Sequence, residues 1–249
     1  MTAPARIPTV ALVTGANKGI GLHTARRLGA LGTTVFLAAR DEERGRAAAA
    51  ALAAEPAEGA DIRYVHLDVT DPDSAKAAAA TVEETSGRLD LLVNNAGVLL
   101  DAGVPVPEAT ADHLRRTYEV NVFGVVTVTT ALLPLLRRSP APRIVNLSSS
   151  LGSQTVNDRQ PERLAPYQLL AYGTSKAALN AVTLQYAHAL RPDGIKVNAV
   201  EPGYVATDLN GHSGPGSPAE AAEAVLRLAL LPDDGPTGTF QSAQGPVPW

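Results

Sequence analysis

Thr14-Gly15-Ala16-Asn17-Lys18-Gly19-Ile20-Gly21 is the stretch on which the reading of this chain turns. An apolar run, Val10-Ala11-Leu12-Val13, precedes it, and a segment of helical character, His23 to Leu31, follows. The order predicts a strand, a glycine-rich turn and a helix, the context in which a dinucleotide pyrophosphate is held. Glycines let backbone approach a phosphate without an intervening side chain. The start of the helix adds free N–H groups and the positive end of its dipole. Glycine spacing alone also fits a plain tight turn opening a helix, so the rest of the chain must decide.

Outward from this turn, strands and helices alternate. Thr34–Ala38 reads as a second strand ending at Arg40, after which Asp41 caps a helix that runs through Arg44 to about Ala54. Ile62–Leu67 reads as a third strand ending at Asp68-Val69. Asp71 and Pro72 then open a helix to about Thr85, as N-cap and first helical residue. Leu89–Val93 is a fourth strand, ending at Asn94-Asn95-Ala96-Gly97, and a long helical region spans Ala111 to Arg137. Arg143–Leu147 is a fifth strand ending at Ser148-Ser149-Ser150. Residues 152–170 are polar with two prolines, which predicts a loop with room for a short helix; Tyr172–Leu190 is a helix. Ile195–Val200 is a sixth strand, broken by Glu201-Pro202-Gly203, followed by a helix over about Ala219–Leu231 and a short strand at Gly238–Ser242.

Such alternation predicts right-handed crossovers and a parallel sheet covered on both faces. Ligands of a doubly wound sheet sit beyond the carboxyl ends of its strands. The unusual polar clusters all fall at such ends: the glycine turn, Arg40, Asp68, Asn94, Ser149 and Pro202-Gly203.

Composition narrows the function classes. The 249 residues carry a net charge of −4, which offers no electrostatic footprint for nucleic acid or an anionic membrane surface. No apolar run approaches the roughly 20 residues that span a bilayer, and Met1–Thr9 has no apolar signal core. Cysteine is absent, which excludes disulfides, thiolate metal sites and cysteine nucleophiles. The five histidines, His23, His66, His113, His188 and His212, have no spacing suited to a metal. These features predict one cytoplasmic domain over 1–249 without a metal.

The residues resemble the short-chain dehydrogenases/reductases over nearly the whole chain. The resemblance rests on T-G-x-x-x-G-x-G at Thr14–Gly21, N-N-A-G at Asn94–Gly97, Asn121 in Asn121-Val122-Phe123-Gly124, Ser149, Y-x-x-x-K at Tyr172–Lys176, and P-G followed by Thr207. The wording of the glycine turn and the extra length between Ser149 and Tyr172 resemble the carbonyl-reductase branch. The family implies a single Rossmann-type, doubly wound α/β domain with a parallel sheet of about seven strands.

Tyr172 and Lys176 lie four apart and so share a helix face. A free tyrosine titrates near 10. A nearby ammonium is expected to lower that value toward a working pH. The resemblance implies that Tyr172 donates the proton to a carbonyl oxygen as hydride arrives at carbon, and that Ser149 polarises that carbonyl. It also implies that Asn121, with a local helix distortion, holds a water linking Lys176 to solvent. Ser148 and Ser150 read as strand-end serines capping a turn.

The hydride must come from a cofactor, because no side chain supplies one. An acid at the end of the second strand would bind a free ribose hydroxyl and repel a 2′-phosphate. The strand ends instead in Ala38-Ala39-Arg40, and Lys18 can reach the same region, which favours NADP(H) over NAD(H). Asp41 opposes that reading in charge but is better placed to cap its helix. The expected cofactor contacts are the turn residues Gly15, Asn17, Lys18, Gly19, Ile20 and Gly21, then Arg40, with Asp68 and Val69 at adenine. Asn95, Ala96 and Gly97 are expected at the adenosine ribose, and Tyr172 and Lys176 at the nicotinamide ribose. The backbone near Val205 and the Thr207 hydroxyl are expected to hold the carboxamide, with Pro202 and Gly203 also among the cofactor contacts.

The reading is an NADPH-dependent reductase of a small aldehyde or ketone. Its alternatives are alcohol oxidation with NAD(P)+ and a non-catalytic NADP(H)-sensing protein. The substrate loops, Leu99–Pro107, Gln154–Ala171 and Asn210–Pro218, suit a moderately apolar carbonyl compound. The resemblance to the carbonyl-reductase branch implies that the extra residues before Tyr172 cover an association face, which favours a homodimer or monomer over a tetramer.

Overall fold

The computed structural model describes residues 7–55 and 60–249; residues 1–6, part of the stretch read for a signal core, lie outside that range. Each inner strand is apolar on both sides, because helices cover both faces of the sheet. In β1 (Val10–Thr14), Ala11 and Val13 enter one core while Val10 and Leu12 enter the other. In β2 (Thr34–Ala39), Val35 and Leu37 join the first core and Phe36 and Ala38 the second. This two-residue alternation follows from the pleat.

The remaining strands are β3 (Asp61–His66), β4 (Leu91–Asn94), β5 (Arg143–Leu147), β6 (Lys196–Glu201), β7 (Phe240–Ser242) and β8 (Gly245–Pro246). They form one sheet in the order β3-β2-β1-β4-β5-β6-β7-β8. All neighbours are parallel except the antiparallel β7–β8 pair. The sheet therefore has eight strands rather than about seven. The extra one is a two-residue edge that folds back after β7, too short for a periodic signal. The chain runs outward from β1 to β3 and then restarts at β4 on the other side, which puts a crevice at the β1/β4 boundary.

Helices α1 (Gly19–Ala30), α2 (Glu42–Ala53) and α9 (Pro218–Ala229) cover the first face; α3 (Pro72–Ser86), α5 (Gly124–Leu136) and α8 (Leu170–Ala189) cover the second. The caps expected at Asp41 and Asp71 form: Asp41 accepts from Arg44 N at 2.9 Å and Asp71 from Asp73 N at 2.9 Å. The α1 helix begins at Gly19, four residues before the helical pattern at His23 becomes legible. The segment between Ser149 and Tyr172 is largely short helices, α6 (Gln154–Arg159) and α7 (Pro161–Leu164), rather than a loop.

The long helical region is not uniform. It is α4 (Ala111–Tyr118), a π-helical turn at Glu119–Phe123, and then α5. By length and composition Ala111–Leu136 is apolar enough to cross a membrane, contrary to the sequence-based expectation. Half of its most apolar window is buried here, with Val128, Leu132, Leu135 and Leu136 packed in the second core. Each such buried aliphatic side chain contributes about 1.5–3 kcal/mol.

Candidate active site

The glycine turn is clamped against the end of β4. Asn95 donates its amide to Thr14 O at 2.7 Å and Gly15 O at 3.2 Å, while Thr14 Oγ1 accepts from Asn95 N and Ala96 N at 2.9 and 3.0 Å. The fit leaves no room for a side chain at Gly21, where a Cβ would lie 2.5 Å from Asn95 Nδ2. Asn95 is thus committed to the turn through its amide, and only the remainder of the residue lines the cleft beyond it.

That cleft has a volume of about 530 Å³ and runs over the β1/β4 boundary. At one end stand Arg40, Arg44, Asp41 and Asp68; at the middle are Gly15, Asn17, Lys18, Gly19 and Ile20; at the other end are Tyr172 and Lys176. Val69, Ala96, Gly97, Pro202 and Thr207 line its walls. Among the expected contacts, Gly21, Gly203 and Val205 do not line it. Gly21 lies beneath the turn, Gly203 is exposed, and the Val205 side chain is buried with its backbone bridged to Gly216.

The residues present fit a dinucleotide. The first turn of α1 has no acidic residue, and its N-cap, Lys18, makes no side-chain cap. Its N–H groups are therefore left to an anion. At the cationic end, Arg40 is 75% exposed and stands 4.0 Å from Asp68. Arg44 is 3.5 Å from Asp41, and it is a second guanidinium at this end that the sequence reading did not single out. The Asp68 carboxyl, despite partial burial, is held below its usual range by hydrogen bonds from Thr70 and by Arg40. Lys18 lines the same cleft as Arg40 and pairs with Asp208 at 2.5 Å.

At the far end the four residues singled out from the sequence converge. Lys176 donates to Leu147 O at 2.7 Å, and its ammonium sits 5.6 Å from the Tyr172 ring centre. The Ser149 hydroxyl accepts from Leu151 N at 3.2 Å, capping the turn that follows β5, and lies close enough to the Tyr172 phenol to favour its ionised form. Ser148 points away and donates to Asn180 Oδ1 at 2.5 Å. Asn121 lies behind, fully buried in the π-helical turn. Its side chain accepts from Val98 N at 2.9 Å and donates to Val98 O and Ser175 Oγ, both at 3.0 Å. A Cβ on Gly97 would stand 3.4 Å from Asn121 Oδ1 and 3.8 Å from Lys176 Nζ, so the absence of that atom keeps the space between them open.

The electrostatics differ from the expected scheme. Burial pushes the Tyr172 phenol upward and the Glu201 charge adds to the rise; the Ser149 hydroxyl works the other way. Burial pushes Lys176 down to about 8, with Glu201 opposing the fall. A four-residue spacing cannot reveal how dry the site is, and desolvation outweighs the ammonium's pull.

Asp101, in the loop after β4, is 1% exposed and was not legible as a site residue. It accepts from Ala171 N at 2.7 Å and Tyr172 N at 3.3 Å. The N-cap of α8, Leu169, has no capping side chain, so a distant carboxylate takes over and fixes where Tyr172 starts its helix. Replacing Asp101 with Ala leaves two amides without acceptors. The expected loss is about 2–3 kcal/mol, measurable by urea unfolding, and a Tm equal to wild type would contradict this role.

A doubly wound sheet with a dinucleotide cleft ending in a Tyr/Lys/Ser/Asn cluster defines a nicotinamide-dependent oxidoreductase as the class. The family model for short chain dehydrogenase matches residues 9–217. The chain belongs to the short-chain dehydrogenase family, in its carbonyl-reductase-like branch. It is 35% identical to (-)-isopiperitenone reductase of Mentha piperita, over 95% of this chain and 96% of that protein. It is also 35% identical to carbonyl reductase [NADPH] 1 of Homo sapiens, over 96% of this chain and 98% of that one. The crystal structure of NADPH-bound carbonyl reductase from chicken fatty liver matches with a TM-score of 0.84 at 32% identity, covering 97% of this chain and 99% of its own.

Proposed function

We propose that this oxidoreductase reduces an aldehyde or ketone to an alcohol with NADPH. The reading rests on the cleft that joins Arg40 and Arg44 at one end to Tyr172 and Lys176 at the other. When bound, the reduced nicotinamide supplies the hydride. The bare N–H groups of α1 bind the pyrophosphate, and Arg40 and Arg44 bind the 2′-phosphate. Ser149 donates to the carbonyl oxygen and holds it beside Tyr172. Tyr172 then gives its proton to that oxygen as the carbon accepts hydride, so the neutral phenol favoured by this site is the form that reduction requires. Lys176 hydrogen-bonds the nicotinamide ribose and keeps positive charge near the phenol oxygen as it loses its proton.

Both Asn121 Nδ2 hydrogens go to Val98 O and Ser175 Oγ, while Oδ1 accepts from Val98 N and has one lone pair left, which supports a water between it and Lys176 in the space that Gly97 leaves open. The wall beside Tyr172 is apolar, with Val98, Leu99, Leu100 and Leu209, and Tyr167 and Tyr204 pack edge-to-face at 5.3 Å nearby. This lining supports a moderately apolar carbonyl substrate.

The test is loss of absorbance at the reduced-nicotinamide band, with NADPH or NADH and a panel of aldehydes, quinones and ketones. Consumption of NADPH is expected, and silence across the panel would contradict the reading. The cofactor preference has its own check. Arg40→Ala removes a charge-assisted contact, so KM for NADPH is expected to rise about 10- to 100-fold while KM for NADH changes little. Equal changes for both would show that Arg40 does not read the 2′-phosphate.

A further inference from the structure

One half-buried carboxyl at this site takes no part in the reduction chemistry. Glu201 is the last residue of β6, and its two oxygens are divided between two turns. One accepts from Ser150 N, just beyond Ser149, and the other accepts from Gly203 N at 3.0 Å. The β5–β6 ladder runs as far as Ser148 N to Val200 O at 2.8 Å. The next donor in that register is Ser150 N. Pro202 turns the chain away there, and the Glu201 side chain takes the place of the missing backbone acceptor. A single side chain thus joins the serine turn at the end of β5 to the Pro202–Gly203 turn at the end of β6.

The same carboxyl also acts through its charge. It opposes ionisation of Tyr172 and opposes deprotonation of Lys176. Burial raises its own affinity for a proton, while the two amides, the Ser150 hydroxyl and Lys176 work against that rise. The groups that face it are few. Tyr172 and Lys176 come from α8, the hydroxyls of Ser149 and Ser150 from the end of β5, and Ser242 is its register partner on β7. The Asp101 carboxyl bears on Tyr172 through the backbone N–H of that residue.

We propose that Glu201 is a positioning residue of the reductase site: its carboxylate holds the Ser149 turn against the Pro202–Gly203 turn and serves as the counter-charge to Lys176. The assignment rests on the reading of the site as a carbonyl reductase. Its test uses an observable independent of turnover, so failure of one is distinguishable from failure of the other.

The test is an NMR titration of protein carrying 13C-labelled lysine, without cofactor, with the Lys176 signal assigned by its absence in Lys176→Met. Wild-type Lys176 is expected to titrate near 8. In Glu201→Gln, which keeps the shape and loses the charge, the midpoint is expected to fall by about one pH unit. In Glu201→Asp, which keeps the charge and shortens the reach, the midpoint is expected to stay near wild type while kcat falls, because the turn carrying Ser149 is released. A Lys176 midpoint unchanged in Glu201→Gln would overturn the proposal. Should that variant not fold, the carboxyl carbon of Glu201 in 13C-glutamate-labelled wild type decides. An ionised signal at neutral pH supports the proposal, and a protonated one overturns it.

Discussion

Tyr172→Phe is expected to lower kcat for carbonyl reduction by about 10²–10⁴-fold while leaving NADPH affinity within about threefold of wild type. The substitution removes one oxygen from a ring that otherwise keeps its place beneath the Lys176 ammonium. It takes away the phenolic proton beside Ser149. Ser149 would still hold the substrate oxygen, but no group of suitable acidity would meet the negative charge developing there. The loss corresponds to about 3–5 kcal/mol of transition-state stabilisation. Stopped-flow absorbance and quenching of protein fluorescence by NADPH separate the chemical step from binding. A variant that turns over within tenfold of wild type would show that another donor, or water, protonates the product.

Lys176→Met is expected to lower kcat/KM on the order of 10³-fold, through both chemistry and cofactor binding. Its ammonium is 5% exposed and held by Leu147 O. Methionine matches the length of the stem without the charge, so the fold is expected to survive and circular dichroism checks that it does. The wild-type pH profile carries the same information. Reduction needs Tyr172 and Lys176 protonated. Burial has brought Lys176 down to about 8 and pushed the phenol up. As pH rises through about 8, Lys176 loses its proton first and kcat/KM for reduction falls. This alkaline limb belongs to Lys176 and is expected to be absent from the residual activity of Lys176→Met. An identical limb in the variant would assign it to a different group.

The parts of this molecule legible in its sequence are those with a local cause. The period-two burial of β1 and β2, the caps at Asp41 and Asp71 and the polar residues at strand ends each follow from a few neighbouring residues. The convergence of Tyr172, Lys176, Ser149 and Asn121 was likewise legible from motifs in order along the chain. What the sequence did not disclose depends on residues far apart. Asp101 caps a helix that starts 69 positions later, at Leu170. Glu201 meets an amide 51 positions earlier. Lys18 finds Asp208 across 190 positions. Desolvation is similarly collective, which is why the expected fall in the Tyr172 pKa became a rise once the surrounding protein was in place. The eighth strand escaped notice for a simpler reason, since two residues at a sheet edge carry no period.

Hydride is expected to pass from the cofactor in this cleft to a carbonyl carbon, which is followed with NADPH deuterated at the hydride-donating carbon, on the face the enzyme uses, and a carbonyl compound identified from the panel. Mass spectrometry of the alcohol then reports the outcome. One deuterium is expected on the former carbonyl carbon, with none at the hydroxyl oxygen after exchange with water. An alcohol free of deuterium at that carbon, formed while the cofactor is consumed, would contradict that transfer.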